Sequence, residues 1–190
     1  MAKTTITLPS FGLTDPGADK TIMWDDSASA LTIAGQLGVT AVSQWRLSSS
    51  FTGDASPISS NLEEVDTDGY GSIGTDMTQS SGVFTFPSTG FWYIEFTVEA
   101  SATGATAYHT GAIHTTTDNS SYGSASDCNC NFANSSGTYY GNASCRFLFD
   151  VTSTTNCKVK FVIDDAGSQT TIGNTGNTST GMTFIRLGDT

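Results

Sequence analysis

Positive charge is what this sequence has least of. Lys and Arg number 7 against 18 Asp and Glu, which gives a formal charge of −11, and charged residues of both signs make up only 13% of the chain. A nucleic-acid binder needs a basic face to displace counterions from phosphates, and an anionic lipid surface attracts proteins by the same means. The sequence supplies no such face. Apolar runs are short, well under the ~20 residues that span a bilayer. The opening MAKTTITLPSFG has a lysine but no apolar stretch, so it does not read as a secretory signal. The expectation is a protein folded in a cytosol, with no nucleic-acid partner and no membrane partner.

Catalytic signatures are missing as well. Histidine occurs twice, as His109 and His114, and neither lies near an evident Ser or Cys partner. No nucleophile elbow, phosphate loop or dinucleotide fingerprint is present. The carboxylate pairs Asp25-Asp26, Glu63-Glu64 and Asp164-Asp165 are adjacent in sequence. On a strand, neighbours face opposite ways, a poor geometry for two acids flanking one glycosidic bond. Helical periodicity is absent too, since no long segment combines a 3.6-residue repeat with caps. These absences predict an all-β, non-enzymatic protein with no cofactor and no metal.

What is present is hydrophobic content of 37% in a background of Ser, Thr, Gly and Asn. That is too apolar and too weakly charged for a disordered chain, and it suits β-strands with a hydroxyl- and amide-rich solvent face. The organising stretch is 81–98, SGVFTFPSTGFWYIEFTV. Phe84 and Phe86 alternate with smaller residues before a Pro-Ser-Thr-Gly corner. Trp92, Ile94, Phe96 and Val98 then alternate with Tyr93, Glu95, Thr97 and Glu99. Period two on both sides of a corner predicts two strands sending six large side chains into one space. Burying all six is worth on the order of 10 kcal/mol, an upper estimate.

Further strands are expected over 42–52, 107–117, 128–133, 138–151, 156–164 and 181–188, giving about eight. Val42, Gln44 and Arg46 should oppose Trp45 and Leu47. The polar segments 53–80, 118–127 and 165–180 read as connections. Gly82, Phe84, Thr85, Pro87, Gly90, Trp92, Tyr93 and Phe96 together resemble the signature corner of C1q/TNF-like jelly rolls. Gly181-Met-Thr-Phe-Ile-Arg-Leu sits where that family's last strand would fall. The resemblance covers about 42–190. It implies a C1q/TNF-like jelly-roll β-sandwich, a compact homotrimer, binding surfaces at the tips and sides, and no catalysis.

Residues 1–41 read as an extended N-terminal arm, broken by Pro9, Gly12, Pro16 and Gly17. Within it, Trp24-Asp-Asp-Ser resembles a module of tailed-phage fibre and head-surface proteins. Ile22, Met23, Trp24, Leu31 and Ile33 have little core of their own. Either a neighbouring subunit or capsid surface covers them, or the arm folds back on its own sandwich. On the central strand, the second row, Phe91, Tyr93, Glu95 and Thr97, is too aromatic for a plain solvent face. Phe91 and Tyr93 are therefore the expected trimer interface, since a cyclic trimer repeats one heterologous contact.

Other residue sets carry two readings each. Cys128, Cys130, Cys145 and Cys157 share parity with apolar strand residues, which makes them small core hydrophobes; one or two disulfides are the second reading. Cys-x-Cys is too tight for a common zinc site. Glu63-Glu-Val-Asp-Thr-Asp-Gly has part of a calcium-loop pattern but lacks its third and distal ligands, so it reads as a solvated acidic loop. His109 and His114, five apart on a strand, are expected on opposite surfaces. Taken together, the sequence predicts a virion structural protein of a tailed phage, anchored by its arm to the major capsid protein or another virion protein. A head decoration or cement protein is the first form. A short tail or head fibre tip whose loops bind a host-surface glycan is the second, and a secreted C1q-like recognition module the third.

Overall fold

The computed structural model describes residues 21–25, 30–34, 39–103, 106–132, 137–167 and 169–190, with 21–25, 30–34 and 106–107 through their backbone only. The chain divides into two compact units, Met1–Gly38 and Val39–Thr190. The boundary expected at 41/42 falls instead inside the first strand of the second unit.

In the first unit, β1 (Thr21–Asp25) and β2 (Ala30–Ala34) form an antiparallel pair with Ile22 opposite Ile33 and Trp24 opposite Leu31. The side chains of Ile22, Met23, Trp24, Leu31 and Ile33, expected to make the arm's contacts, lie outside what the structure describes.

The second unit holds β3 (Ala41–Leu47), β4 (Ser49–Thr52), β5 (Leu62–Glu64), β6 (Thr78–Ser80), β7 (Val83–Thr85), β8 (Gly90–Thr103) and β9 (Thr106–Thr116). These are followed by β10 (Gly123–Phe132), β11 (Thr138–Val151), β12 (Lys158–Asp165), β13 (Thr170–Asn174) and β14 (Gly181–Gly188). They form two antiparallel sheets. The smaller runs β10-β9-β12-β7-β6; the larger runs β4-β13-β8-β14-β3-β5, with β11 on the other side of β8.

The corner after β7 is where the chain passes from one sheet to the other, because β7 belongs to the smaller sheet and β8 to the larger. That transfer makes the two apolar rows face each other. Phe84, Phe86, Trp92, Ile94, Phe96 and Val98 are all buried in one core cluster, as period two predicts. Ring contacts fill and join the layers: Phe84 meets Phe161 of its own sheet edge-on at 5.4 Å between centroids and Phe184 of the facing sheet at 5.3 Å. The buried indole of Trp92 donates to the Ser88 carbonyl at 3.1 Å, so the corner itself satisfies the polar atom of that side chain. Gly90 has φ +134°, and a Cβ there would stand 2.3 Å from the Gly188 carbonyl oxygen. The corner closes only on glycine.

Several expected boundaries move. The strand expected over 42–52 breaks at Ser48, whose amide donates to Asn61 O at 2.7 Å, and its second half pairs with β13 as β4. The connections over 53–80 and 165–180 contain β5, β6 and β13, and β10 begins at Gly123, inside the loop expected over 118–127. These short, polar strands carry no alternation of their own; they form because a neighbouring edge offers unpaired backbone groups. Among the described residues there is no helix, and the second unit has twelve strands against the eight expected.

Candidate functional site

The larger sheet turns its outer face away from the core. Along β8, Phe91, Tyr93, Glu95, Thr97 and Glu99 point outward while Trp92, Ile94, Phe96 and Val98 point in. Cross-strand register extends this alternation sideways. Tyr93 stands opposite Leu148 of β11 on one side and Ile185 of β14 on the other. Ile185 stands opposite Val42 of β3, and Val42 bridges to Ile73. Directly opposed residues in an antiparallel sheet share a face. Leu148, Tyr93, Ile185, Val42 and Ile73 therefore form one apolar row across four strands and a bridging loop. Its ends are the most open, with Leu148 54% and Ile73 43% exposed, and Phe91 and Leu187 extend it at 38% and 52%.

The next row along the strands is polar. Arg146 Nε donates to Glu95 Oε1 at 2.8 Å, and Gln44 Nε2 donates to Thr183 Oγ1 at 3.1 Å. An apolar band beside satisfied polar side chains has the layout of an interface with a core and a rim. Phe91 and Tyr93, the residues singled out in the sequence, both lie on this face. Sequence reasoning missed Leu148, Ile185, Val42 and Ile73, which come from four separate segments. Only the register brings them into line.

Beside the polar row the acidic segment folds over the sheet. Arg46, on the face expected for it, has no exposed side-chain surface. Its Nε donates to Glu63 at 2.7 Å, its Nη1 to Thr67 at 2.7 Å, and its Nη2 pairs with Asp66. The Thr175 hydroxyl and Arg46 hold the Glu63 carboxyl below its ordinary range. The positive charge that this loop needs is thus built in, which accounts for its shape without calcium. Nearby, Glu64 is pushed above its ordinary value by burial and by Asp76, one of whose oxygens is buried without a partner.

The smaller sheet presents a cleft on its outer face. Thr110, Ala112 and His114 of β9, Ser124 and Asp127 of β10, Val162 and Asp164 of β12, and Asp54 with Ser56 from the loop above enclose ≈ 410 Å³. Ala112 and Val162 give it an apolar floor, and three carboxylates and several hydroxyls surround that floor. Burial, then Lys160 opposite, lowers the pKa of His114, so its ring is neutral near pH 7. A small apolar floor ringed by acceptors suits a polyol more than an anion.

His109 corrects its expectation: it is fully buried, not on a surface. Its Nε2 lies 3.2 Å from Thr171 Oγ1, and its Nδ1 lies 3.9 Å from Asp165 Oδ1. Burial lowers its pKa against the pull of Asp165. The burial arises because β13 and the end of β12, both remote in sequence, close over it. All four cysteines are free; Cys130, Cys145 and Cys157 are buried and Cys128 is half-buried. Among the described residues, no three His, Cys, Asp or Glu side chains converge to hold a metal.

Two antiparallel sheets in this order, with the corner strand at the centre of the larger, define a C1q/TNF-like jelly-roll sandwich. Solved structures of that class superpose on the chain. Murine APRIL at pH 5.0 matches with a TM-score of 0.56 and 11% identity, over 77% of this chain and 98% of APRIL. The Eiger TNF of S. frugiperda matches with a TM-score of 0.56 and 6% identity, over 80% of this chain and 95% of Eiger. No protein-family model and no curated protein matches the sequence. At such low identity the likeness shows the fold.

Proposed function

We propose that the chain is a non-enzymatic structural subunit of a tailed-phage virion. In this reading it assembles as a homotrimer through the outer face of the larger sheet and decorates the capsid through residues 1–41. The observation that carries the proposal is the apolar row Leu148–Tyr93–Ile185–Val42–Ile73, with exposed ends and a half-buried middle on an isolated subunit. A second copy is the occupant that fits, because the row is flanked by paired polar groups rather than by charge seeking an opposite partner. A three-fold contact repeats one such surface without leaving an open end. The arm supports the attachment part. Its antiparallel pair, β1 with β2, is an architecture that is marginal alone in water and gains stability from a surface to lie against. The major capsid protein is the proposed surface.

Light scattering on the purified protein tests assembly. A trimer has about 59 kDa, three times the 19.8 kDa of the chain, and a stable species at the single-chain mass would refute it. A density map of the intact particle tests the location, with shell-like copy number expected and tail-like copy number opposing it. The cleft over Ala112 and Val162 favours a second reading, a short fibre tip whose cleft takes a host-surface glycan. Binding of the isolated protein to host cells, competed by free sugar, would support that reading over decoration.

A further inference from the structure

The sandwich is open along the side where β10, the edge strand of the smaller sheet, runs beside β11, the edge strand of the larger. No backbone ladder joins these two strands. Two thiols face each other in that gap. Cys128 Sγ of β10 and Cys145 Sγ of β11 lie 3.5 Å and 3.7 Å from the same acceptor, the carbonyl oxygen of Gly111. Gly111 lets the opposite sheet close in beside them: a Cβ there would stand 2.5 Å from Val98 Cγ2 and 3.1 Å from Phe96 Cε1. The pair is asymmetric. Cys128 is half-buried and reachable by a small molecule, whereas Cys145 is 4% exposed.

We propose that Cys128 and Cys145 are a redox-active dithiol that closes into a disulfide clasp between the two sheets. Cys128 is the entry thiol and Cys145 the resolving thiol. The nearness of the two thiols lowers the pKa of Cys128 and raises that of Cys145, which fits those roles. The oxidant is a low-molecular-weight disulfide, RSSR. The Cys128 thiolate attacks one sulfur, forming a Cys128–SR bond and releasing RS⁻, which takes up a proton. Cys145 then loses its proton, attacks Cys128 Sγ and expels the second RS⁻. Two electrons pass from the protein to RSSR, which leaves as two RSH. The remaining thiols are differently placed. Cys130 Sγ points to the Val98 carbonyl at 4.0 Å, and Cys157 Sγ contacts the Thr152 hydroxyl at 3.9 Å. The clasp would covalently join two strands that are otherwise held only by side-chain packing, and it would close as a particle leaves a reducing cell. The assignment stands on the geometry of one subunit and does not depend on trimer formation.

The test treats the full chain with oxidised glutathione, then unfolds and alkylates it. Alkylatable thiols should fall from four to two, the mass should drop by two hydrogens, and a peptide map should show Cys128 joined to Cys145. The melting midpoint should rise by roughly 5–10 °C, from the loop the bond closes. Cys145→Ser should trap glutathione on Cys128, and Cys128→Ser should take up none at that site. Four alkylatable thiols after oxidation, a bridge mapped elsewhere, or an unmodified Cys145→Ser variant would each overturn the proposal.

Discussion

Arg46, with no exposed side-chain surface, donates to Glu63 at 2.7 Å and so fastens the acidic 62–70 segment to the outer face of the larger sheet. A guanidinium can be buried there because Glu63, Asp66 and Thr67 take its donors. Arg46→Met should therefore lower stability by about 1–3 kcal/mol, read by urea titration, since it removes the charged hydrogen bonds that hold Glu63 and Asp66 to the sheet. Calcium chloride should leave the wild-type melting midpoint unchanged, because Arg46 already engages Glu63 and Asp66. A calcium-dependent rise would contradict that assignment.

Glu63 and Glu64 are neighbours with opposite pH behaviour. The Thr175 hydroxyl and Arg46 depress the Glu63 pKa in the folded state. Its stabilisation is present above the ordinary glutamate range and is lost as pH falls through the folded value. Burial and Asp76 raise the Glu64 pKa, so its penalty is present above the folded value and disappears below the ordinary one. Glu63→Gln should destabilise the protein at pH 7 and Glu64→Gln should stabilise it. Both differences should shrink on acidification to about pH 4. Melting curves across that range check both signs.

Leu148 is more than half exposed, so changing it leaves the subunit itself within about 0.5 kcal/mol of wild type. Leu148→Asp places a charge in the apolar row and should convert the trimer to folded single chains. Tyr108→Asp, on the smaller sheet and 38% exposed, should leave assembly intact. Sizing with light scattering reads both variants. An unaffected Leu148→Asp assembly would move the interface elsewhere.

Phe84 touches Trp45, Phe161 and Phe184 at the centre of the core. Phe84→Ala should cost about 3–5 kcal/mol of stability in urea, by lost burial plus a cavity between the sheets. A loss under 1 kcal/mol would mean that the two layers are not held together there.

The inner layer was legible in the sequence because a strand's side-chain period is local: Phe84 to Val98 alternate within one continuous stretch. The parity of Val42, Gln44 and Arg46 against Trp45 and Leu47 was legible for the same reason. The burial of Arg46 and His109 was not. Each is covered by segments distant in the chain, the acidic loop for one and the ends of β12 and β13 for the other. Of the outer apolar row, Tyr93 could be seen, together with its neighbour Phe91. Leu148, Ile185, Val42 and Ile73 each look like a single surface hydrophobe in their own segments, and such residues are ordinary.

By itself, then, the sequence determined the strand alternation, the all-β class, the corner and the low positive charge, because each depends on residues within a few positions of one another. Register, and with it the apolar row, the built-in cation of the acidic loop and the facing thiols of Cys128 and Cys145, was decided only by the tertiary structure. Which residue stands opposite which is a property of two strands, and a one-residue slip turns every side chain of a strand to the other face.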